Sequence, residues 1–305
     1  MLFSGSASVE LANEVSQLLG VPLAKAELKK FADGENYVEI MESVRGKNVF
    51  VIQSTYSLVN ANYMQLFLMV DAFKRASARK INVVMPYFGY ARQDRLWGRS
   101  PISASLIARF IEQAGANSFM SFELHSPSIA GFFKIPVDNL TTTGLFADYF
   151  KQKNLSDLTV VSPDVGGAKR ADRLARRLGA QLAIIHKQRP APNQSEVHSV
   201  VGQVQGRNCI LADDIVDTAG SLAAAARALK EKGALKIYAA ITHAVLSGDA
   251  VKKIESSPID ELVVSNSIPL KEKSARISVV SLAPMIAESI KRIQEGGSIS
   301  QVFDP

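Results

Sequence analysis

One cysteine and one tryptophan occur in 305 residues, and the scarcity of the first already narrows the field. A single thiol excludes a disulfide framework, and Cys209, inside the apolar run "NCILA", is expected as a small core residue in a reducing compartment rather than as a nucleophile. No stretch approaches the roughly 18 uncharged apolar residues of a membrane span. The opening "MLFSGSASVELANEV" lacks the basic segment and apolar core of a secretory leader. A soluble, cytoplasmic protein without membrane partners is therefore expected. Blocks of one charge are missing too. Lys and Arg number 35 against 29 Asp and Glu, a formal net charge of +6, yet the signs are mixed along the chain. Without a basic stripe there is no nucleic-acid footprint, whereas pockets for small anions suit a mildly basic surface. Neither GxxxxGK[ST] nor GxGxxG is present, and "GGAKR" at 166–170 matches neither.

What is present is alternation. Continuous apolar runs at 48–54, 81–87, 158–164, 181–187, 209–214, 235–243, 261–267 and 277–282 read as buried strands. Amphipathic stretches separate them, as at 60–78, where Tyr63, Leu66, Phe67, Val70 and Phe73 recur at helical spacing. This βαβ order predicts an α/β protein with mainly parallel sheets flanked by helices. The alternation restarts near "VDNLTTTG" (137–144), so two related domains are expected, 1–142 and 143–283. A last helical pattern, within 284–305, is expected to rejoin the first.

The most telling stretch is "NCILADDIVDTAGSLAAAARALK" (208–230). In an open α/β sheet, ligands sit beyond the carboxyl ends of the strands. Asp217, Thr218, Ala219, Gly220 and Ser221 offer small side chains, hydroxyls and closely spaced N–H groups at a helix start, a cradle for phosphate. Asp213 and Asp214 would repel phosphate. They make sense if the same ligand also presents hydroxyls, as a phosphorylated pentose does. A helix cap would account for Asp217 alone.

This loop resembles the phosphoribosyl-pyrophosphate motif of the type I phosphoribosyltransferase fold. Further motifs, "FADGENYVEI" (31–40), "ESVRG" (42–46), "YARQDR" (90–95), "ELHSPSIAGFFKIPVDNL" (123–140), "VVSPDVGGAKRA" (160–171), "HKQRPAPN" (186–193) and "GGSISQVFD" (296–304), resemble those of the ribose-phosphate pyrophosphokinase family, in that family's order and across the whole chain. The resemblance implies two phosphoribosyltransferase-like domains. It implies transfer of the β,γ-pyrophosphoryl group of ATP to the C1 hydroxyl of ribose 5-phosphate, with Mg²⁺, for nucleotide biosynthesis. It gives Lys187 and Arg189 to transition-state stabilisation from a loop between strands, Arg189 also to the sugar phosphate, and His125 with Asp164 to magnesium, His125 also to catalysis. ATP falls to Phe31, Asp33, Gly34 and Glu35, on a hairpin reaching a neighbouring subunit, and to Arg92 and Gln93. An anion-responsive allosteric site falls to Ser43, Arg45, Arg99, Ser298 and Ser300, and the assembly is expected to be a homohexamer.

Glu123, Ser128, Ala130, Leu96 and Trp97 depart from the family's usual residues near the magnesium and regulatory positions. Two other readings are weighed. A phosphoribosyltransferase would need a nucleobase hood and no ATP motifs. A silent regulator would be expected to have lost the loop cations or His125.

Overall fold

The computed structural model describes residues 1–188 and 197–299, the side chains of residues 187, 188, 197 and 198 excepted. The chain divides into two compact units, Met1–Thr141 with Ser281–Pro305, and Thr142–Val280.

The first unit runs β1 (Leu2–Ser4), α1 (Val9–Leu19), β2 (Ala26–Lys30), β3 (Asn36–Ile40), β4 (Asn48–Ile52), α2 (Val59–Arg75), β5 (Lys80–Met85), α3 (Ser103–Ala114), β6 (Ser118–Phe122) and β7 (Val137–Leu140). Its five-stranded sheet has the order β1-β4-β5-β6-β7 and is parallel throughout. Parallel strands joined through helices are covered on both faces. Accordingly Val49, Val51, Ile52, Val83 and Met85 are all fully buried. The stripe on α2 turns the same way: Tyr63, Leu66, Met69, Val70 and Phe73 lie in the core. β2 and β3 stand apart as an antiparallel hairpin whose turn is closed by Phe31 and Glu35, with Gly34 at φ 95°. That backbone conformation is one L side chains rarely adopt.

The second unit comprises α4 (Thr143–Gln152), β8 (Leu158–Ser162), α5 (Ala168–Leu178), β9 (Gln181–Gln188), β10 (Val197–Val201), β11 (Asn208–Val216), α6 (Gly220–Glu231), β12 (Ile237–Ala244), α7 (Ala250–Glu255), β13 (Glu261–Ser265) and β14 (Ile277–Val280). Its seven strands follow the order β10-β9-β8-β11-β12-β13-β14; β10 is antiparallel to β9, and the other pairs are parallel. β8, β11, β12 and β13 form the buried centre, and Cys209 is packed among them. Burial pushes its thiol up to about 11, against a smaller opposing effect of Arg207. It is therefore inert at neutral pH. The last helix, α8 (Ala283–Glu295), belongs to the first unit and packs on α1, beside a hydrogen bond from Ser281 to Glu14.

One expectation changes. β14 is an edge strand, with Val279 48% exposed, because a terminal strand has a neighbour on one side only. Strand β9 runs one residue past the expected 181–187, through Gln188, and Lys187 and Gln188 pair with His198 and Val197; the loop expected to carry Arg189 lies outside the described residues. The pairing strand β10 is short and mixes Val with His and Ser, so no continuous apolar run announced it. Among the described residues no helix is long and apolar enough to cross a membrane.

Candidate active site

In the second unit, β8 and β11 are adjacent parallel strands, so their carboxyl ends open on the same edge of the sheet. The turn after β8 carries Asp164, whose Oδ1 accepts the Gly167 N–H at 2.8 Å where α5 begins. Gly167 is required by closeness: a Cβ there would stand 2.9 Å from Ser162 Oγ. From the first turn of α5, Arg170 reaches across to β11. Its Nη1 lies 3.0 Å from Asp213 Oδ1 and 3.3 Å from Asp214 Oδ1. The Asp214 N–H also donates to Asp213 Oδ1, at 2.9 Å.

One guanidinium thus serves two carboxylates at the strand end. Arg170 is a residue that sequence reasoning missed. The signal lay in "GGAKR", where a cation falls one helical turn after a glycine-tight helix start. That spacing belongs to no nucleotide-binding pattern, and its partners lie on another element. Burial of Asp213, followed by the like charge of Asp214, raises the Asp213 carboxyl to about 7 despite the opposing pull of Arg170. Asp214 is only 4% exposed. The pair sets carboxylate acceptors side by side at the strand end, the chemistry that recognises hydroxyl donors.

The loop beyond β11 is held from behind. Ser247 N–H donates to the Asp217 carbonyl at 3.0 Å, and Lys253 Nζ to the Thr218 carbonyl at 3.2 Å. Ala219 is buried and takes a left-handed conformation, φ 59°, as the N-cap of α6, so Asp217 is not that cap. The front is open. Thr218, Gly220 and Ser221 are exposed, and a Cβ added to Gly220 would meet nothing closer than Thr218 Oγ1 at 3.9 Å. A twelve-residue helix therefore starts with its first-turn N–H groups beside hydroxyls and unfilled space, which is anion-binding chemistry.

The first unit holds the other predicted residues. A cavity of about 530 Å³ is lined by Leu58, Asn60, Tyr87, Gly89, Tyr90, Arg92 and Gln93 among others. Tyr90, itself at φ 64°, donates to Asn60 Oδ1 at 2.5 Å, and Ser103 Oγ donates to Gln93 Oε1 at 2.6 Å. Arg92 is exposed on the rim. Strand β3 is tied to the same neighbourhood by Asn36, whose amide donates to the Ala61 carbonyl at 3.1 Å. At the hairpin turn Phe31 is 55% exposed, supported edge-on by Tyr37 at 5.7 Å, while Asp33 Oδ1 accepts the Glu35 N–H.

His125 is exposed in the segment after β6. Glu123, just before it, is buried with φ 38° and accepts from Thr141 Oγ1 at 2.6 Å, so the longer side chain is spent inside the unit. Ser43, Arg45, Arg99 and Ser298 are all exposed on the first unit. The Lys187 side chain, Arg189 and Ser300 lie outside the described residues.

The fold and these loops define the class: an α/β protein with mainly parallel sheets flanked by helices, carrying paired acids and an open helix start at the carboxyl end of a central strand. Residues 1–115 match the N-terminal domain of ribose phosphate pyrophosphokinase, and residues 189–304 the phosphoribosyl synthetase-associated domain. The chain belongs to the ribose-phosphate pyrophosphokinase family. It is 52% identical over 306 residues to the ribose-phosphate pyrophosphokinase of Bacillus caldolyticus, covering 99% of this chain and 97% of that one. Against the enzyme of Bacillus subtilis (strain 168) the identity is 50% over 305 residues, with 99% and 96% covered. The crystal structure of phosphoribosylpyrophosphate synthetase from Mycobacterium smegmatis superposes with a TM-score of 0.92 at 40% identity, covering 97% and 99% of the two chains.

Proposed function

We propose that this enzyme transfers the β,γ-pyrophosphoryl group of ATP to the C1 hydroxyl of ribose 5-phosphate, with Asp213 and Asp214 receiving the pentose hydroxyls and residues 217–221 the 5-phosphate. The carrying observation is the carboxylate pair held by Arg170 directly ahead of an open helix start. A phosphate-only ligand would be repelled by the pair, and a neutral sugar would leave the N–H groups unused. A pentose phosphate uses both.

In the reaction the C1 oxygen attacks the β-phosphorus, the bond to the α,β-bridging oxygen breaks, the hydroxyl proton is lost and AMP departs. Little covalent work falls to the protein, so positioning and charge stabilisation supply the rate. Arg92 on the cavity rim is suited to the ATP phosphates by its forked donors. Phe31, with Asp33 and Glu35 close by on an exposed turn, suits stacking on adenine and accepting from its amino group, in a neighbouring subunit of a homohexamer. Lys187 and Arg189 are assigned to the charge that develops on the transferred group. Ser43, Arg45, Arg99, Ser298 and Ser300 are assigned to an anion-responsive regulatory site.

Magnesium fits what the chain offers. Asp164 presents an exposed hard-oxygen donor and His125 an exposed ring, and among the described residues no group of three or more His, Cys, Asp or Glu gathers into a cage. Magnesium takes hard oxygen ligands, keeps several waters and rides on substrate phosphates, where it would neutralise charge. Asp164 on the second unit and His125 on the first are each assigned to magnesium.

The test is AMP formation from ATP with and without ribose 5-phosphate. Sugar-dependent AMP release, with a KM for the sugar phosphate that rises at least tenfold in Asp217→Ala, is expected. AMP release independent of the sugar, or an unchanged sugar KM in that variant, would reject the assignment.

A further inference from the structure

Asp213 and Asp214 pose an electrostatic problem. Two neighbouring carboxylates on one strand, the second buried, resist ionising together, and burial with mutual repulsion dominates the behaviour of Asp213. A protonated carboxyl is half donor, so it offers a pentose hydroxyl a poorer acceptor and a less definite geometry. The charged groups that face Asp213 are Asp214, from its own strand, and Arg170, from α5. His243, on the adjacent strand β12, is buried with its Nδ1 against Ser267 Oγ at 3.0 Å.

Arg170 is a cation set against both acids, and its placement is built rather than incidental. It projects from the first turn of α5, a helix brought close to β8 by Gly167 and begun by the Asp164 carboxylate. Its side chain is only 17% exposed. Both contacts run through the single nitrogen Nη1; the guanidinium is planar and permanently charged, so it presents that nitrogen in a fixed direction, which a freely rotating, strongly hydrated ammonium does less well.

We infer that Arg170 is a positioning residue for ribose 5-phosphate: by bridging Asp213 and Asp214 it aims both carboxylates as acceptors for the pentose hydroxyls and opposes their protonation, without touching the sugar. The inference rests on the assignment of those two aspartates to the sugar. It extends that assignment to a residue on another element, and makes the α5 start a determinant of sugar affinity.

The experiment compares the parent with Arg170→Met, Arg170→Lys and Asp213→Asn, measuring KM for each substrate, kcat and the pH profile of kcat/KM for ribose 5-phosphate, with thermal melting of each variant. In Arg170→Met the sugar KM is expected to rise about tenfold or more, from the loss of charged hydrogen bonds. The KM for ATP should stay within about twofold, and the acidic limb of the profile should move to higher pH. Arg170→Lys keeps the charge and the fold. It should return the acidic limb towards the parent position while leaving the sugar KM raised.

An unchanged sugar KM and unchanged limb in Arg170→Met, or equal rises for both substrates, would overturn the role of Arg170. If Arg170→Met does not fold, Arg170→Lys decides: a parental sugar KM there rejects the bridging geometry, and a raised one supports it. Asp213→Asn separates the two levels. A raised sugar KM in Asp213→Asn beside a parental Arg170→Met rejects only Arg170. No effect in either places the sugar elsewhere.

Discussion

Arg170 Nη1 and Asp213 Oδ1 are 43 residues apart along the chain and 3.0 Å apart in space. The first sits in the first turn of α5 and the second near the end of β11, the strand beside the one from which α5 departs. The contact links the helix start around Asp164 to the acids of β11 within one unit, and its charge opposes the burial and like-charge repulsion that raise the Asp213 carboxyl.

The pH dependence of sugar binding follows from Asp213. Its carboxyl is raised to about 7, chiefly by burial and then by Asp214. For an acid whose folded value exceeds its ordinary value of 3.8, folding favours the neutral form. Its contribution to stability is thus present below about pH 4 and lost as pH rises towards 7. Ligand hydroxyls want the ionised form. KM for ribose 5-phosphate is therefore expected to climb as pH falls below about 7, while added sugar phosphate raises Tm more at pH 8 than at pH 6. Equal thermal shifts at the two pH values would contradict this.

Lys187→Ala should reduce kcat by about a thousandfold, the scale seen when a group stabilising transition-state charge is removed. Far-ultraviolet circular dichroism and melting should hardly change. A kcat within about threefold of the parent would remove Lys187 from the chemistry.

Gly89→Ala addresses the cavity of the first unit. A Cβ at Gly89 would fall 2.6 Å from the Thr55 carbonyl oxygen and 2.9 Å from Val59 Cγ1, in a wall that also holds Arg92 and Gln93. Backbone must shift, at a cost of about 1–3 kcal/mol. KM for ATP is expected to rise several-fold with KM for ribose 5-phosphate unchanged. The reverse pattern in steady-state kinetics would show that the cavity does not serve the nucleotide.

Glu261 tests the frame of the second unit. It accepts from Lys153 at 2.7 Å, Tyr149 at 2.5 Å and Ser278 at 2.6 Å. Burial alone would raise its carboxyl, and these donors together hold it below the ordinary value. For a depressed acid, the stabilisation exists above the ordinary value and vanishes as pH falls through the folded one. Glu261→Gln should cost about 1–3 kcal/mol at pH 7, with a gap from the parent that narrows in acid. Chemical denaturation at two pH values measures it, and a gap that widens in acid would contradict the account.

Much of this was written in local pattern. Val83, Val160, Leu211 and Val264 belong to runs apolar on both faces, which only a covered parallel sheet accommodates, and the regular return of amphipathic stretches such as α2 fixed the crossovers. The loop from Asp213 to Ser221 was equally legible, because strand, acids, small residues and helix follow one another within a single stretch of chain. Period and succession are properties of neighbours in sequence, and the chain states them outright.

The tertiary structure decided what depends on distant partners. β10 owes its existence to the edge that β9 offers, β14 loses its burial by standing last in the sheet, and Glu123 turns inward because Thr141 is there to donate. Arg170 met the acids of β11 only when the packing of α5 against β8 and β11 brought it within 3.0 Å of Asp213. The unusual proton affinity of Asp213 exists for the same reason: it is the sum of burial, a neighbouring acid and a cation from another element, and no local spacing in the chain contains that sum.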